Sequence, residues 1–163
     1  MIYEVEGDIM LTRAQVIAHG VATGDAMTRG FSRKLNERFP AMVQQYREWC
    51  EETNPEPGEI WLWSDSDEIQ ILNLITHEGD KDDPTRAGRP NKIALNRGLR
   101  RMAKLTVDER IKSVAMPKVG AGEFGLDWSE VRGMMDSQLG ELLIPIFLYT
   151  VELDGQVASE PGM

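Results

Sequence analysis

Apolar positions along the chain fall into two kinds of run. Short, β-branched or aromatic runs predict strands at Ile2 to Glu6, Gln15 to His19, Glu59 to Trp63, Ile69 to Thr76, Ser113 to Met116 and Ile144 to Val151. Longer stretches with apolar residues three and four apart predict helices at Phe31 to Phe39, Ala41 to Glu52, Lys92 to Lys104 and Asp127 to Leu143. In the second helix the recurring positions are Met42, Val43, Tyr46, Trp49 and Cys50; in the fourth they are Trp128, Val131, Met135, Leu139 and Leu142. Strands followed by helices predict an α/β fold: a three-layer α/β/α sandwich around a mixed sheet. The turn-like Ser64-Asp65-Ser66-Asp67 makes its two flanking strands an antiparallel pair. Trp49 and Trp128 read as helix-face core, and Trp61 and Trp63 as sheet packing. His77 to Lys92 is polar and rich in Pro, Gly and charge, a long surface loop; Leu153 to Met163 has little to bury and reads as a flexible tail beyond a single domain at 1–152.

Composition narrows the function. Lys and Arg number 18 against 27 Asp and Glu, a net charge of −9, which argues against a broad duplex-DNA surface. Nucleic acid is therefore not the expected partner. A small anionic ligand remains compatible, because backbone N–H groups bind phosphate whatever the net charge. One cysteine, Cys50, excludes an intrachain disulfide, and with only His19 and His77 there is no Cys/His zinc set. No metal or cofactor is expected. The start, Met1-Ile2-Tyr3-Glu4, has neither a basic region nor a long apolar stretch, so the expectation is a cytoplasmic chain without signal peptide or membrane span. Nothing suggests an obligate dimer, and a monomer is expected.

Two segments carry candidate chemistry. Lys118 to Gly125 (KVGAGEFG) lies between a strand and a helix, and Gly20 to Gly30 (GVATGDAMTRG) lies in the same position earlier in the chain. Glycines there let backbone N–H groups approach a ligand beside a positive helix end. On one sheet edge the two would face each other across a crevice suited to a diphosphate; two ordinary loops is an equally weighted reading. Asp8, after the first strand, either accepts from the exocyclic amine of a base or caps a turn. The basic stretch Arg97, Arg100, Arg101 and Lys104 reads as a solvated helix face.

The order of these pieces resembles the macrodomains, ADP-ribose-binding α/β/α modules. The resemblance covers Ile2 to Glu152 and is carried by Tyr3-Glu4-Val5-Glu6-Gly7-Asp8-Ile9, Val16-Ile17-Ala18-His19-Gly20 and Met27-Thr28-Arg29-Gly30-Phe31-Ser32. Further along it continues in Met116-Pro117-Lys118-Val119-Gly120-Ala121-Gly122, Gly125-Leu126-Asp127-Trp128 and Phe147-Leu148-Tyr149-Thr150. Within the family the chain is most similar to stand-alone members that include terminal ADP-ribose protein glycohydrolase, ADP-ribosyl-DNA hydrolase antitoxins and an ADP-ribose-1″-phosphate phosphatase. The resemblance implies that Asp8 and the backbone of Ile9 read the adenine, with Tyr149 beside it. It implies further that Gly20, Thr28, Arg29, Gly30 and Phe31 line the distal ribose and diphosphate. Pro117, Gly120, Ala121, Gly122, Glu123, Phe124 and Gly125 form the second cradle.

Departures from the glycohydrolase pattern bear on chemistry. That branch has a Lys where this chain has His77, and an Asp where it has Phe124. The phosphatase branch matches instead at Gly122-Glu123-Phe124-Gly125, His19 and Thr76. The implied activity is therefore binding of ADP-ribose and hydrolysis of a derivative at its distal ribose, ADP-ribose-1″-phosphate or an ADP-ribosyl ester. His19 would be general acid or base and Thr76 would orient the phosphate or a water; His77, opening a polar loop, is expected to swing away. The rivals are a non-catalytic reader of ADP-ribose and a hydrolase of ADP-ribosyl-DNA or protein of the antitoxin type.

Overall fold

The computed structural model describes residues 1–65, 69–122 and 125–163. In chain order the strands are β1 (Ile2–Gly7), β2 (Val16–Ala22), β3 (Ile60–Ser64), β4 (Gln70–His77), β5 (Val114–Pro117) and β6 (Ile146–Glu152). The helices are α1 (Gly30–Arg38), α2 (Pro40–Thr53), α3 (Lys92–Asp108) and α4 (Trp128–Leu139). The sheet runs β1-β6-β5-β2-β4-β3. All neighbours are parallel except β3, which pairs antiparallel with β4 through Trp63↔Ile71 and Leu62↔Leu72. It is the mixed α/β/α sandwich the pattern predicts.

Side-chain alternation builds the two cores. In β2 and β4, Ile17, Val21, Ile71 and Ile75 face α1 and α2, packing with Leu35, Met42 and Tyr46. Val16, Ala18, Leu72 and Leu74 face α3 and α4, packing with Leu95, Leu99, Met102, Val131 and Met135. Both strands are buried on both faces, which is why they read as near-continuous apolar runs. Tyr46, Trp49 and Trp61 form one aromatic cluster between α2 and β3, with Trp49 stacked on Trp61 at 5.8 Å between centroids, while Trp63 packs on Phe39.

Two helix ends differ from expectation. α4 stops at Leu139, four residues early, because Gly140 weakens the helix and the chain must turn to enter β6. The terminal ammonium of Met1 takes the carbonyls of Leu142 and Ile144 at that turn. α3 runs on to Asp108, burying Thr106, and ends where Arg110 adopts a positive φ of 53°. The segment after β6 buries more than its composition suggests: Ala158 is 7% exposed, and Leu153 N–H donates to the Gly7 carbonyl. Among the described residues no helix is long and apolar enough to cross a membrane.

Candidate functional site

Parallel strands deliver their C-terminal ends to one edge, where loops and helix N-termini converge. There a cleft of about 860 Å³ is walled by the loop after β2, the first turn of α1, the ends of β4, β5 and β6, and parts of the loops 77–92 and 118–125. From β6 to β4 is three strand spacings, roughly 14 Å. A second cavity, of about 900 Å³, lies at the opposite edge, among residues that precede strands (Gln15, Ile69, Ser113, Pro145) and residues 161–163, and contains neither glycine loop.

Of the residues singled out in the sequence, His19, Gly20, Thr28, Arg29, Gly30, Phe31, Thr76, Pro117, Gly120, Ala121, Gly122, Gly125 and Tyr149 line the cleft. Asp8 and Ile9 do not. Ile9 has no exposed surface, and the Asp8 carboxylate accepts from Met10 N–H and Gly155 N–H, both at 2.9 Å. Asp8 thus fills its turn-capping role while standing beside Glu152 at the β6 end. Glu123 and Phe124 lie outside the described residues.

Internal hydrogen bonds shape each loop. In the first, Asp25 accepts from Ala22 N–H at 3.0 Å and Met27 N–H at 2.7 Å. That carboxylate holds the turn in which buried Met27 adopts φ 52°, a conformation that costs about 1–2 kcal/mol. Asn36 of α1 donates to the Ala26 and Met27 carbonyls and fixes the loop against the helix. Arg29, the N-cap of α1, makes no side-chain cap bond, so the helix opens into the cleft with its first N–H groups free of side-chain acceptors. In the second loop the Gly120 carbonyl accepts from Leu126 and the Gly122 carbonyl from Gly125. Two carbonyls are thereby bonded within the loop. At Gly122, with φ 150°, an added Cβ would meet no protein atom within 4 Å.

The two histidines stand in different surroundings. His19 is 1% exposed, and both ring nitrogens are engaged: Nδ1 with Ser32 Oγ at 2.9 Å and Nε2 with Asn73 Oδ1 at 2.6 Å. Asn73 donates through its amide to the Trp61 carbonyl, which leaves Oδ1 to accept from His19 Nε2–H. Nδ1 therefore accepts from Ser32, and an ordered relay runs from β3 through β4 and β2 to α1. Burial pushes the His19 pKa down to about 4, against the opposing pull of the Asn73 bond and the Asp25 charge. Both ring nitrogens are thus taken, and the neutral ring holds Ser32 at the α1 entry.

His77 is the last residue of β4, and its ring is held there. Its Nδ1 lies 2.9 Å from Thr76 Oγ1, whose hydroxyl donates to the Val21 carbonyl at 3.3 Å. Nδ1 therefore carries the proton and Nε2 the lone pair. Gly88 crosses over the ring so closely that a Cβ there would come within 2.4 Å of Cδ2 and 2.7 Å of Nε2. Burial lowers the His77 pKa while Asp25 opposes it, keeping the ring in its basic form near neutrality. Thr76, 2% exposed, spends its hydroxyl on fixing this tautomer.

The loop 77–92 is bound to the first loop: Ala26 N–H donates to the Pro84 carbonyl, Arg29 Nε to the Thr85 carbonyl at 2.9 Å, and Gly79 N–H to Thr23 Oγ1 at 2.9 Å. Sequence reasoning missed Asp25, Ser32, Lys34 and residues 85–88 as wall residues, and the signal for Asp25 was an acid inside a glycine-bearing loop. At the β6 end Lys34 pairs with Asp154 at 3.0 Å and Glu152 at 3.6 Å. With Asp8 these two acids form the acidic group found among the described residues, and the Lys34 ammonium already supplies its cation.

Comparison with known proteins follows the same outline. Residues 19–135 match the family model described as Macro domain. The chain is 27% identical over 159 residues to the DNA ADP-ribosyl transferase-DNA ADP-ribosyl glycohydrolase fusion protein of Thermosipho africanus, covering 89% of this chain and 40% of that relative. It is 25% identical over 146 residues to the DNA ADP-ribosyl glycohydrolase of Thermus aquaticus, covering 87% of this chain and 39% of the relative. The chain thus spans about two fifths of the length of these curated relatives. Among solved structures, Thermosipho africanus DarTG in complex with ADP-ribose superposes with a TM-score of 0.80 at 26% identity, over 96% of this chain and 43% of that one. The macrodomain of Thermus aquaticus DarG gives 0.82 at 23% identity, over 92% and 98%.

Proposed function

The chain belongs to the Macro domain family, and from that premise we propose that it binds ADP-ribose in the cleft and hydrolyses a bond at the distal ribose. One observation carries the binding: two glycine-bearing loops and the uncapped N-terminus of α1 converge on one open cleft at the C-terminal sheet edge. Free N–H groups and a positive helix end are what a diphosphate needs, and they operate inside a protein of net charge −9. The ADP-ribose complex of the Thermosipho africanus protein supports the same ligand.

At the β4 end His77 is the group equipped for proton transfer. Its Nε2 lone pair is unprotonated at neutral pH, its ring is held by Thr76 and covered by Gly88, and Asp25 stabilises the imidazolium that forms. Water attacking the distal centre gives a proton to Nε2 as the new bond to oxygen forms. The leaving phosphate or carboxylate departs with the bonding pair of the broken bond and takes that proton back from the imidazolium. ADP-ribose and the released acid account for all atoms.

A second reading takes ADP-ribosylated DNA as the substrate. The Arg29 and Arg86 guanidiniums among the cleft residues favour it, as does the activity named for the relatives. Single-turnover incubation with ADP-ribose-1″-phosphate, glutamate-linked ADP-ribosyl protein and ADP-ribosyl-DNA tests both. Release of ADP-ribose from one of them, lost in His77→Ala and kept in His19→Gln, is expected. No release from any substrate would reduce the protein to a reader.

A further inference from the structure

Residues 153–160 touch both groups that stand at the β6 end of the cleft. Gly155 N–H donates to Asp8 Oδ2 at 2.9 Å, and Asp8 N–H donates to the Gln156 carbonyl at 2.7 Å. Ala158 packs on Gly7, where an added Cβ would approach it to 2.8 Å. Glu160 then reaches back to residues far away in sequence. Its carboxylate accepts from Arg13 N–H at 2.9 Å, from the Thr12 hydroxyl, and from the Tyr149 hydroxyl at 3.0 Å. Within the segment, Asp154 pairs with Lys34 of α1 at 3.0 Å.

None of residues 153–160 belongs to the cleft wall, and the cleft is open with the segment in place. The segment frames the site and does not fill it. Each Asp8 carboxylate oxygen accepts one protein N–H and retains capacity for a second donor. Tyr149, a cleft-wall residue only 4% exposed, has its hydroxyl proton directed to Glu160, which holds the ring in place. Burial, with the Glu160 charge beside it, raises the Tyr149 pKa and keeps it a phenol. Without Glu160 the phenol loses its acceptor, and the chain loses the bond to Arg13 that anchors residues 153–160 over Asp8.

We propose that residues 153–160 are a clamp for the base end of the cleft, and that Glu160 is its positioning residue, acting through Tyr149 and Asp8. The proposal rests on the ADP-ribose reading, which gives this end to the adenine. It predicts a split between the two halves of the ligand. AMP carries the base end, whereas ribose 5-phosphate carries only the distal half.

The test is NMR titration of wild type, Glu160→Ala, Glu160→Gln and Tyr149→Phe with ADP-ribose, AMP and ribose 5-phosphate. Glu160→Ala is expected to weaken AMP and ADP-ribose about tenfold, the usual scale for one lost acceptor. Ribose 5-phosphate affinity stays within about twofold on the same scale. Glu160→Gln, which keeps an acceptor for Tyr149, falls between wild type and Glu160→Ala. Tyr149→Phe added to Glu160→Ala brings little further loss, because the two act as one unit. Equal weakening of AMP and ribose 5-phosphate overturns the clamp and leaves a general fold defect, and so does unchanged AMP affinity in Glu160→Ala. Wild type that binds neither AMP nor ADP-ribose is a separate outcome: it removes the functional reading on which the clamp stands.

Discussion

Protonating His19 must break its relay. Nδ1 accepts from Ser32, so a proton there forces the serine hydroxyl to turn and leaves a charge in a site that is 1% exposed. The structure places the pKa near 4, against 6.5 for an exposed imidazole. Between these values the unfolded chain binds a proton that the folded chain refuses. Stability therefore rises with pH in that window and is lost as the pH falls from 6.5 towards 4. At about 1.4 kcal/mol per pH unit the whole window is worth roughly 3 kcal/mol, of which about 2 kcal/mol falls between pH 6.5 and 5. Urea unfolding of wild type and His19→Gln at pH 7.5, 6.5, 5.5 and 5.0 measures it. His77, whose pKa is also lowered, contributes to both curves and cancels in the difference. Wild type should lose about 2 kcal/mol more than His19→Gln from pH 6.5 to 5, and the His19 Cε1–H resonance should stay flat down to pH 5. Parallel curves, with His19 titrating near 6.5, would refute the relay and return the ring to acid–base duty.

Other outcomes follow from the same geometry. Gly122→Val should abolish ADP-ribose binding with an unchanged circular dichroism spectrum, since its side chain enters open cleft; the backbone cost at φ 150° is about 1–2 kcal/mol. Asp8→Ala should weaken ADP-ribose by ~1–3 kcal/mol in calorimetry and lower the melting temperature, because Met10 and Gly155 lose their acceptor. Gly88→Val should displace the His77 ring and lower single-turnover rates by about 100-fold, while ADP-ribose affinity measured by calorimetry changes far less.

Much of the frame was legible because it rests on local pattern. The near-continuous apolar run in β4 (Ile71, Leu72, Leu74, Ile75) marks a strand buried on both faces, and the glycines after β2 and β5 mark the loops. Asn73 was the overlooked signal: a polar side chain at the centre of an apolar strand needs buried partners. Register supplies one by setting Asn73 directly across from His19, a pairing between residues 54 apart that no local pattern carries. Glu160 is hidden for the same reason, since its partners Thr12 and Arg13 lie at the other end of the chain. The setting of His77 depends on a strand that ends one residue later than its apolar pattern and on Gly88 crossing the ring.

Titration of the isotopically labelled protein with ADP-ribose, followed by amide NMR, tests the central claim most directly. Saturable shifts concentrated at Gly20, Thr28 to Ser32, Gly120 to Gly122 and Tyr149 are the expected result, with residues of the opposite-edge cavity such as Lys112 and Ser113 unmoved. Absence of shifts at millimolar ADP-ribose, or shifts centred on Lys112 and Ser113, would contradict the account.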